Sequence, residues 1–386
     1  MNKVVKRVLI ITGITLGAIV LSAGGYAGYV LLSYSRIGDT PLKVDASSKL
    51  EKVEVGTTYK ALSYNIGFGA YSQDFTFFMD EGFDEKGNKT AGHDAWAKNT
   101  DTVLFNVNGA INTVKSSNAD FVFFQEADTD STRARHINED TMIKGSFTDY
   151  DHIYCCNYHA PFLPYPFYQM HGYASSGIIT LSKYQVKEAE RKEYAVSDSL
   201  SKLLDLDRCF SSSRIEVSNG KSLYIVNSHM SAYDEGGKVR PVQVKQLKDF
   251  IISKRNNGDY VIVGGDWNHD LLVNSIDYPY TPNNKPYGVT LKNPPWLENW
   301  YDENRVGLIE EGFHMYAADN IPTCRNNDIE WEPRKTFVCT VDGFLVSDNI
   351  DVTSITTIET KNGNKGLDGF AYSDHEPTAL EFKLKA

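Results

Sequence analysis

At 386 residues, 41% hydrophobic and 23% charged, the chain is long enough for one large domain or two medium ones and too apolar to be disordered over most of its length. Fifty acidic side chains stand against 39 basic ones, and a net charge of −11 argues against long-range attraction of polyanions. The five cysteines, Cys155, Cys156, Cys209, Cys324 and Cys339, form no CxxC pair, and their odd number fits neither a complete disulfide framework nor a cysteine zinc site.

Residues 1–7 carry Lys3, Lys6 and Arg7, and no charge follows from Val8 to Ser35. Residues 8–32 are apolar for longer than the 20 or so positions a bilayer requires, with no polar face to suit a buried helix. A retained membrane anchor is therefore expected. Ser22-Ala23-Gly24 offers the small residues of a signal-peptide cleavage site, but the apolar run continues to Leu32. Basic residues before the span place the N-terminus in the cytoplasm and the rest of the chain outside. Without those three residues, 36 basic side chains face 50 acidic ones, a formal charge of −14.

Residues 33–56, polar and containing Pro41, read as a stalk, and residues 57–386 as one domain with no second linker and no internal repeat. Strands are expected at Tyr59–Tyr64, Phe121–Gln125, Gly177–Leu181, Ser222–Ser228, Tyr260–Gly264, Gly343–Ser347 and Ala379–Lys383, each short and rich in β-branched or aromatic residues. Apolar spacing predicts helices over Asn99–Ser116 and Val239–Arg255, the second with Pro241 in its first turn. Residues 278–335, with Trp296, Trp300, Tyr301 and Trp331, read as a functional loop region or an irregular insert, whose aromatics suit a membrane surface or base stacking. Cys324 and Cys339 flank one segment, as a disulfide in an oxidising compartment or as buried thiols.

Polar residues recur where these strands end. Asn65 follows ALSY, Glu126 follows FVFFQ, His229 follows LYIVNS, Asp266 and Asn268 follow VIVGG, and Asp374 and His375 lie in SDHEP before the last strand. Each alone suits a turn or a solvated loop. Together they suit phosphoester hydrolysis, which needs an activated water, neutralised phosphorus oxygens and a stabilised leaving oxygen. Hard oxygen donors such as Asn65 and Glu126 suit Mg²⁺, with Mn²⁺ as the alternative.

The segments LSYNIG, FFQEAD, SSGIITLSKY, LDRCFSSSRIEV, IVNSHMSAY, GGDWNHD, VDGFLVS and SDHEPTALEF, spanning Leu62 to Phe382, resemble the endonuclease/exonuclease/phosphatase superfamily. The resemblance implies a four-layered α/β sandwich, two packed mixed sheets flanked by helices, where periodicity alone gives only mixed α/β. It implies metal ligation by Asn65 and Glu126 and a catalytic set of His229, Asp266, Asn268, Asp342, Asp374 and His375. By similarity, Asp266 orients or deprotonates the water and Asn268 holds the phosphate. His375 donates to a non-bridging oxygen or works as acid–base, Asp342 orients it, and His229 is a phosphate contact or general acid. Arg208 matches a recurrent arginine, with a substrate-phosphate or a structural role. Trp267 and Gly343 depart from the family pattern, and His152, His159 and His171 take no role from it.

The expected function is metal-dependent hydrolysis of a phosphodiester or phosphomonoester outside the cell membrane. The alternatives are a surface nuclease and an inactive binding domain on the same fold. The acidic charge and the anchor favour a lipid or small headgroup over nucleic acid, and no protein partner is inferable.

Overall fold

The computed structural model describes residues 2–196, 207–232, 239–272, 291–300 and 311–386. In chain order, helix α1 (Lys3–Ser33) precedes strands β1 (Thr40–Pro41) and β2 (Thr58–Asn65), helix α2 (Thr100–Ser117), β3 (Phe121–Asp128) and helix α3 (Glu139–Ser146). Next come β4 (Asp151–Leu163), β5 (Gly172–Ser182), β6 (Val186–Glu193), β7 (Cys209–Glu216), β8 (Ser222–His229) and helix α4 (Val239–Asn256). The chain closes with β9 (Tyr260–Asp266), β10 (Phe313–Tyr316), β11 (Asp342–Ser347), β12 (Ile350–Thr357) and β13 (Thr378–Leu384).

Two mixed sheets result, one of six strands in the order β12-β13-β2-β3-β5-β4 and one of seven in the order β1-β6-β7-β8-β9-β11-β10. Strand β3 shows why they stack. Phe121 and Phe123 point into the core between the sheets, against Ile225, Ile262 and Phe344, while Val122 and Phe124 point the other way. That outer face packs on Val103, Val107 and Val114 of α2 and Ile143 of α3. A strand buried on both faces reads as the continuous run FVFF rather than as an alternation. The second sheet is covered by α4 through Val244, Leu247 and Ile251. The layers are therefore helices, sheet, sheet, helix, the expected four-layered sandwich.

All seven expected strands and both expected helices are present. The strands that pattern did not single out have readable reasons. The sequence of β6, VKEAERKE, is dominated by its charged exposed positions, and β7, CFSSSRIE, buries three consecutive serines between Phe210 and Ile215, which breaks the apolar run.

Residues 33–56 do not stand off as a stalk. Strand β1 pairs with β6, and Asp45 exchanges both backbone hydrogen bonds with His152 at 2.9 and 3.1 Å. The N–H groups of Ser47 and Ser48 donate to Asp151 Oδ1 at 2.8 Å. Val53 is fully buried, and Leu42, Val44 and Val55 pack beside it against the core between the sheets. The segment is polar because it hydrogen-bonds to strand edges, and its few valines suffice to close the end of that core.

The aromatic stretch 278–335 also differs from expectation where it is described. Trp300 and Trp331 are buried, and the Trp331 indole donates to Asp368 O at 3.0 Å. Trp296 donates to Asn326 Oδ1 at 2.9 Å. An indole with an internal partner gains more from the core than from a surface. Tyr301 lies outside the described residues. Cys324 and Cys339 are directly opposite one another in a two-stranded ladder, and both are free thiols.

Candidate active site

Only two strand pairs in these sheets are parallel, β2 with β3 and β8 with β9. Helix α2 connects the first pair and α4 the second, because a parallel pair needs a long crossover. Each pair therefore ends together, and the two pairs sit in facing sheets. Asn65 closes β2, Glu126 lies one position past Asn65's register partner Gln125, and His229 is the register partner of Asp266. Asp266 in turn is opposite Asp342 on β11. Chain ends more than 200 residues apart thus meet at one edge of the sandwich.

Local backbone features aim these groups. The pairing of β3 with β5 shifts register between Phe124 and Ala127, and Glu126 there adopts φ 55°. This bulge turns the Glu126 carboxylate toward the site. At Gly265 any Cβ would sit 1.8 Å from Ser228 O, so glycine is required for β8 and β9 to run this close. Beyond β9 the chain turns through Asn268 at φ 50°, and Asp266 Oδ1 accepts the Asn268 N–H at 2.9 Å. One Asp266 oxygen thus makes an Asx-turn, and the other is left to face the site.

That second oxygen, Oδ2, accepts from Asn65 Nδ2 at 3.0 Å and lies 3.4 Å from His229 Nε2 and 3.8 Å from His375 Nε2. Asn65 Nδ2 also reaches Glu126 Oε1 at 3.2 Å. His375 Nδ1 is 2.7 Å from Asp342 Oδ2. Asp374 Oδ2 accepts from Asn327 Nδ2 at 2.8 Å, and Asn268 Nδ2 donates to Met230 O at 2.9 Å. All eight sequence-derived residues therefore belong to one cluster. Every one except Glu126 is buried.

The charges are unequal. Burial works against the His375 imidazolium, but Asp342, Cys324 and Asp266 outweigh it and raise its pKa well above 6.5. Burial pulls the Asp342 carboxyl up to about 6 although His375 draws it down. The 2.7 Å separation favours the imidazolium–carboxylate form of this pair at neutral pH. Burial also opposes the Asp266 carboxylate, yet His375, His229 and the Asn268 N–H hold it well below the usual carboxylate range. His229 goes the other way, pushed down by burial and by the neighbouring Arg208. Of the two histidines facing Asp266, His375 is the one whose surroundings favour the cation. Arg208 is buried beside the site and acts on it through His229.

Residues that sequence reasoning missed hold the others in place. The Asn157 amide lies 3.4 Å from His229 Nδ1. Ser373 Oγ donates to Asn65 O at 2.8 Å and accepts the His375 N–H at 3.2 Å. Thr323 Oγ1 accepts the Asp342 N–H at 3.1 Å. Ser373 was within reach, since it opens the SDH segment. Asn157 lies in an uncharged aromatic stretch whose pattern carries no catalytic signature. Trp267 and Gly343, the departures from the family pattern, fit together: the Trp267 indole donates to Gly343 O at 3.0 Å.

Ligand atoms of Glu126, His229 and Asp266 lie within 4.8 Å of one another. Asn65 turns Nδ2 toward Glu126 and Asp266 while its Oδ1 accepts the Gly67 N–H at 3.0 Å, so the hard oxygens of this donor set are the Glu126 and Asp266 carboxylates. The set fits a divalent cation that keeps water in its shell, and Glu126, the half-exposed member, provides the open side.

A mixed α/β sandwich with carboxylates and histidines gathered at its strand ends is consistent with the class of metal-assisted phosphoester hydrolases. The chain belongs to the Endonuclease/Exonuclease/phosphatase family, whose model matches residues 103–375, more than two thirds of its length. Comparison with curated protein sequences gives no match. Among solved structures it is similar to an endonuclease/exonuclease/phosphatase from Beutenbergia cavernae, at 12% identity and a TM-score of 0.49, over 85% of this chain and 72% of that one. It is similar to D. rerio TDP2 complexed with single strand DNA product, at 13% identity and 0.49, over 85% and 99%. It is also similar to the human Nocturnin catalytic domain with bound sulfate, at 11% identity and 0.49, over 89% and 97%.

Proposed function

We propose that this chain is a divalent-metal-dependent phosphoester hydrolase, anchored by α1 with its catalytic domain outside the cytoplasmic membrane. The observation that carries the catalytic part is Asp266 Oδ2, a buried carboxylate oxygen facing Asn65 and two histidines, one of them paired with a second carboxylate. Such an arrangement orients a water and supplies positive charge to a phosphate.

Glu126, and Asn65 with its amide oxygen turned toward the site, would hold Mg²⁺, with Mn²⁺ as the alternative, and the ion would supply polarisation of the phosphoryl oxygen and stabilisation of the leaving oxygen. Asp266 accepts a hydrogen bond from the attacking water and takes its proton. The His375 imidazolium, kept charged by Asp342, donates through Nε2 to a non-bridging oxygen. His229, neutral beside Arg208, contacts the phosphate or relays a proton to the leaving group. Asn268 shapes the turn that positions Asp266 and offers its second amide hydrogen to the phosphate. Asp374, fixed by Asn327, is buried next to the His375 backbone, and that burial raises its carboxyl pKa.

Membrane anchoring is supported by α1, a 31-residue helix containing an unburied 18-residue window of mean hydropathy 2.1. Lys3, Lys6 and Arg7 precede it and favour a cytoplasmic N-terminus. We infer a lipid or small headgroup phosphoester as substrate, since 36 basic against 50 acidic residues after the span do not favour a polyanion. The test is a comparison of kcat/KM with Mg²⁺ on sphingomyelin, phosphatidylinositol phosphates, single- and double-stranded DNA and a bis-aryl phosphodiester. Efficient DNA cleavage without action on lipid or small phosphoesters favours a surface nuclease. No turnover of any substrate favours an inactive binding domain.

A further inference from the structure

The end of the β4–β5 hairpin, residues 160–173, comprising the loop and the strand ends that flank it, contains no Asp, Glu, Lys or Arg in a chain that is 23% charged. Its side chains are not gathered into the core. Phe167 is 78% exposed, Tyr168 71%, Tyr165 56%, Phe162 42% and Met170 40%. Outside α1 no other segment among the described residues exposes so many large apolar side chains together. A single exposed aromatic needs no explanation, whereas a contiguous uncharged group marks an interaction surface.

Part of the backbone of this loop is satisfied from within. Gln169 N donates to Pro166 O at 3.0 Å and His171 N to Tyr165 O at 3.1 Å. Pro161, Pro164 and Pro166 have no N–H to lose. Moving the loop tip out of water therefore strands few backbone donors, the main cost of entering an apolar layer.

The occupant is indicated by what touches the base of the loop. The Tyr26 hydroxyl of α1 donates to Phe162 O at 3.0 Å, and Phe162 N donates to the Tyr29 hydroxyl at 3.0 Å. Val30 of the same helix is buried against the domain. Ser35 Oγ lies 3.1 Å from His159 Nε2, and Arg36 donates to Tyr194 O at 2.9 Å, fixing the chain just after the helix. At about 1.5 Å per residue, Tyr26 and Tyr29 lie about 27–32 Å along the helix from Val8, close to the hydrocarbon thickness of a bilayer. With Lys6 and Arg7 at the inner boundary, these tyrosines sit at the outer one, where tyrosine is favoured. Phe162 is bonded to both and shares their level.

We propose that the uncharged aromatic loop 160–173 seats in the interfacial layer of the bilayer leaflet from which α1 emerges, docking the domain on lipid beside its own anchor. This rests on the membrane-anchored reading of α1. It brings the active site with it, because Asn157, which faces His229, precedes Phe162 by five residues on the same strand, about 17 Å. The active site then stands within about 17 Å of the headgroup layer.

The experiment uses the full chain in liposomes of phosphatidylcholine and phosphatidylglycerol. Phe167→Cys and Tyr165→Cys are each labelled with an environment-sensitive fluorophore, with Asn257→Cys as the control at the far end of β9 and the unsubstituted chain as background. Spin-labelled lipids lower the emission of the two loop labels by about twofold or more, and most from a spin label about 5–10 Å below the headgroups. The Asn257→Cys label is unaffected. Loop labels quenched by aqueous iodide as readily as the control overturn the proposal. So does protection that follows protein density and not spin-labelled lipid, which assigns the loop to a second copy of the chain. Release of the chain from liposomes by alkaline carbonate overturns the anchor, and the docking with it. Hydrolysis of a soluble bis-aryl phosphodiester by the same samples reports catalysis separately, so loss of docking and loss of the catalytic reading are distinguishable.

Discussion

Replacing Asp342 with Asn removes one charge from the centre of the proposed mechanism and little volume. Asp342 Oδ2 is 2.7 Å from His375 Nδ1, and both side chains are buried. At that distance and an effective dielectric constant near 20, the gross attraction is about 6 kcal/mol. The amide oxygen of Asn keeps a hydrogen bond worth about 1 kcal/mol, and the buried carboxylate's desolvation cost, visible in its pKa of about 6, disappears with the charge. A net loss of about 3 kcal/mol of imidazolium stabilisation remains, and kcat on a soluble phosphodiester should fall by about 10². The pH profile gives a second readout. In the wild type Asp342 raises the His375 pKa, so the imidazolium persists to higher pH. In Asp342→Asn the alkaline limb of kcat should move to lower pH, with KM changed far less than kcat. The assay is steady-state turnover from pH 5.5 to 9.5, with circular dichroism to confirm folding. A folded variant with kcat within threefold of wild type throughout would show that the charge on His375 is not used.

Chelation with EDTA should abolish turnover, and Mg²⁺ or Mn²⁺ should restore it where Zn²⁺ does not, as the oxygen-rich donors predict; full activity in excess chelator refutes this. Asp266→Ala and His375→Ala should each lower kcat by at least about 10², and wild-type turnover in either would show the site to be misassigned. Glu376, buried beneath the site, has its carboxyl pushed up to about 8 by burial against the donors of Phe370 and Thr360. Its folded pKa lies above the unfolded value of about 4.5, so its contribution to stability is complete below pH 4.5 and fades as pH rises through 8. Melting curves of wild type and Glu376→Gln across that window should therefore differ in slope, and parallel curves would contradict the burial argument. A protease added to intact cells should digest the domain beyond residue 57 or so, and a protected domain would mean the inverted topology.

Much of this protein was legible in one dimension. The β-branched and aromatic runs located the central strands, since a strand's period is a local property. The apolar spacing of Val103, Val107 and Val114 located α2 for the same reason. Asn65, Glu126, His229, Asp266 and His375 were legible because each follows or precedes such a run and their order matches a known pattern. What one dimension did not carry was anything decided by a distant partner. The segment around Val53 looked like a stalk until Glu216 and the inter-sheet core supplied its contacts. Trp331 looked like a surface aromatic until Asp368 accepted its indole N–H. His229 and His375 are the same residue type and both are buried, and only their neighbours, Arg208 beside one and Asp342 beside the other, send their pKa values in opposite directions. Sequence alone determined where the central strands, α2 and α4 form and which chemical groups those strands end on, because propensity, periodicity and side-chain chemistry are local. Tertiary structure decided which of those groups meet, which are charged, and that the exposed aromatic face lies at residues 160–173, because burial and Coulomb energy depend on neighbours that the chain brings together only by folding.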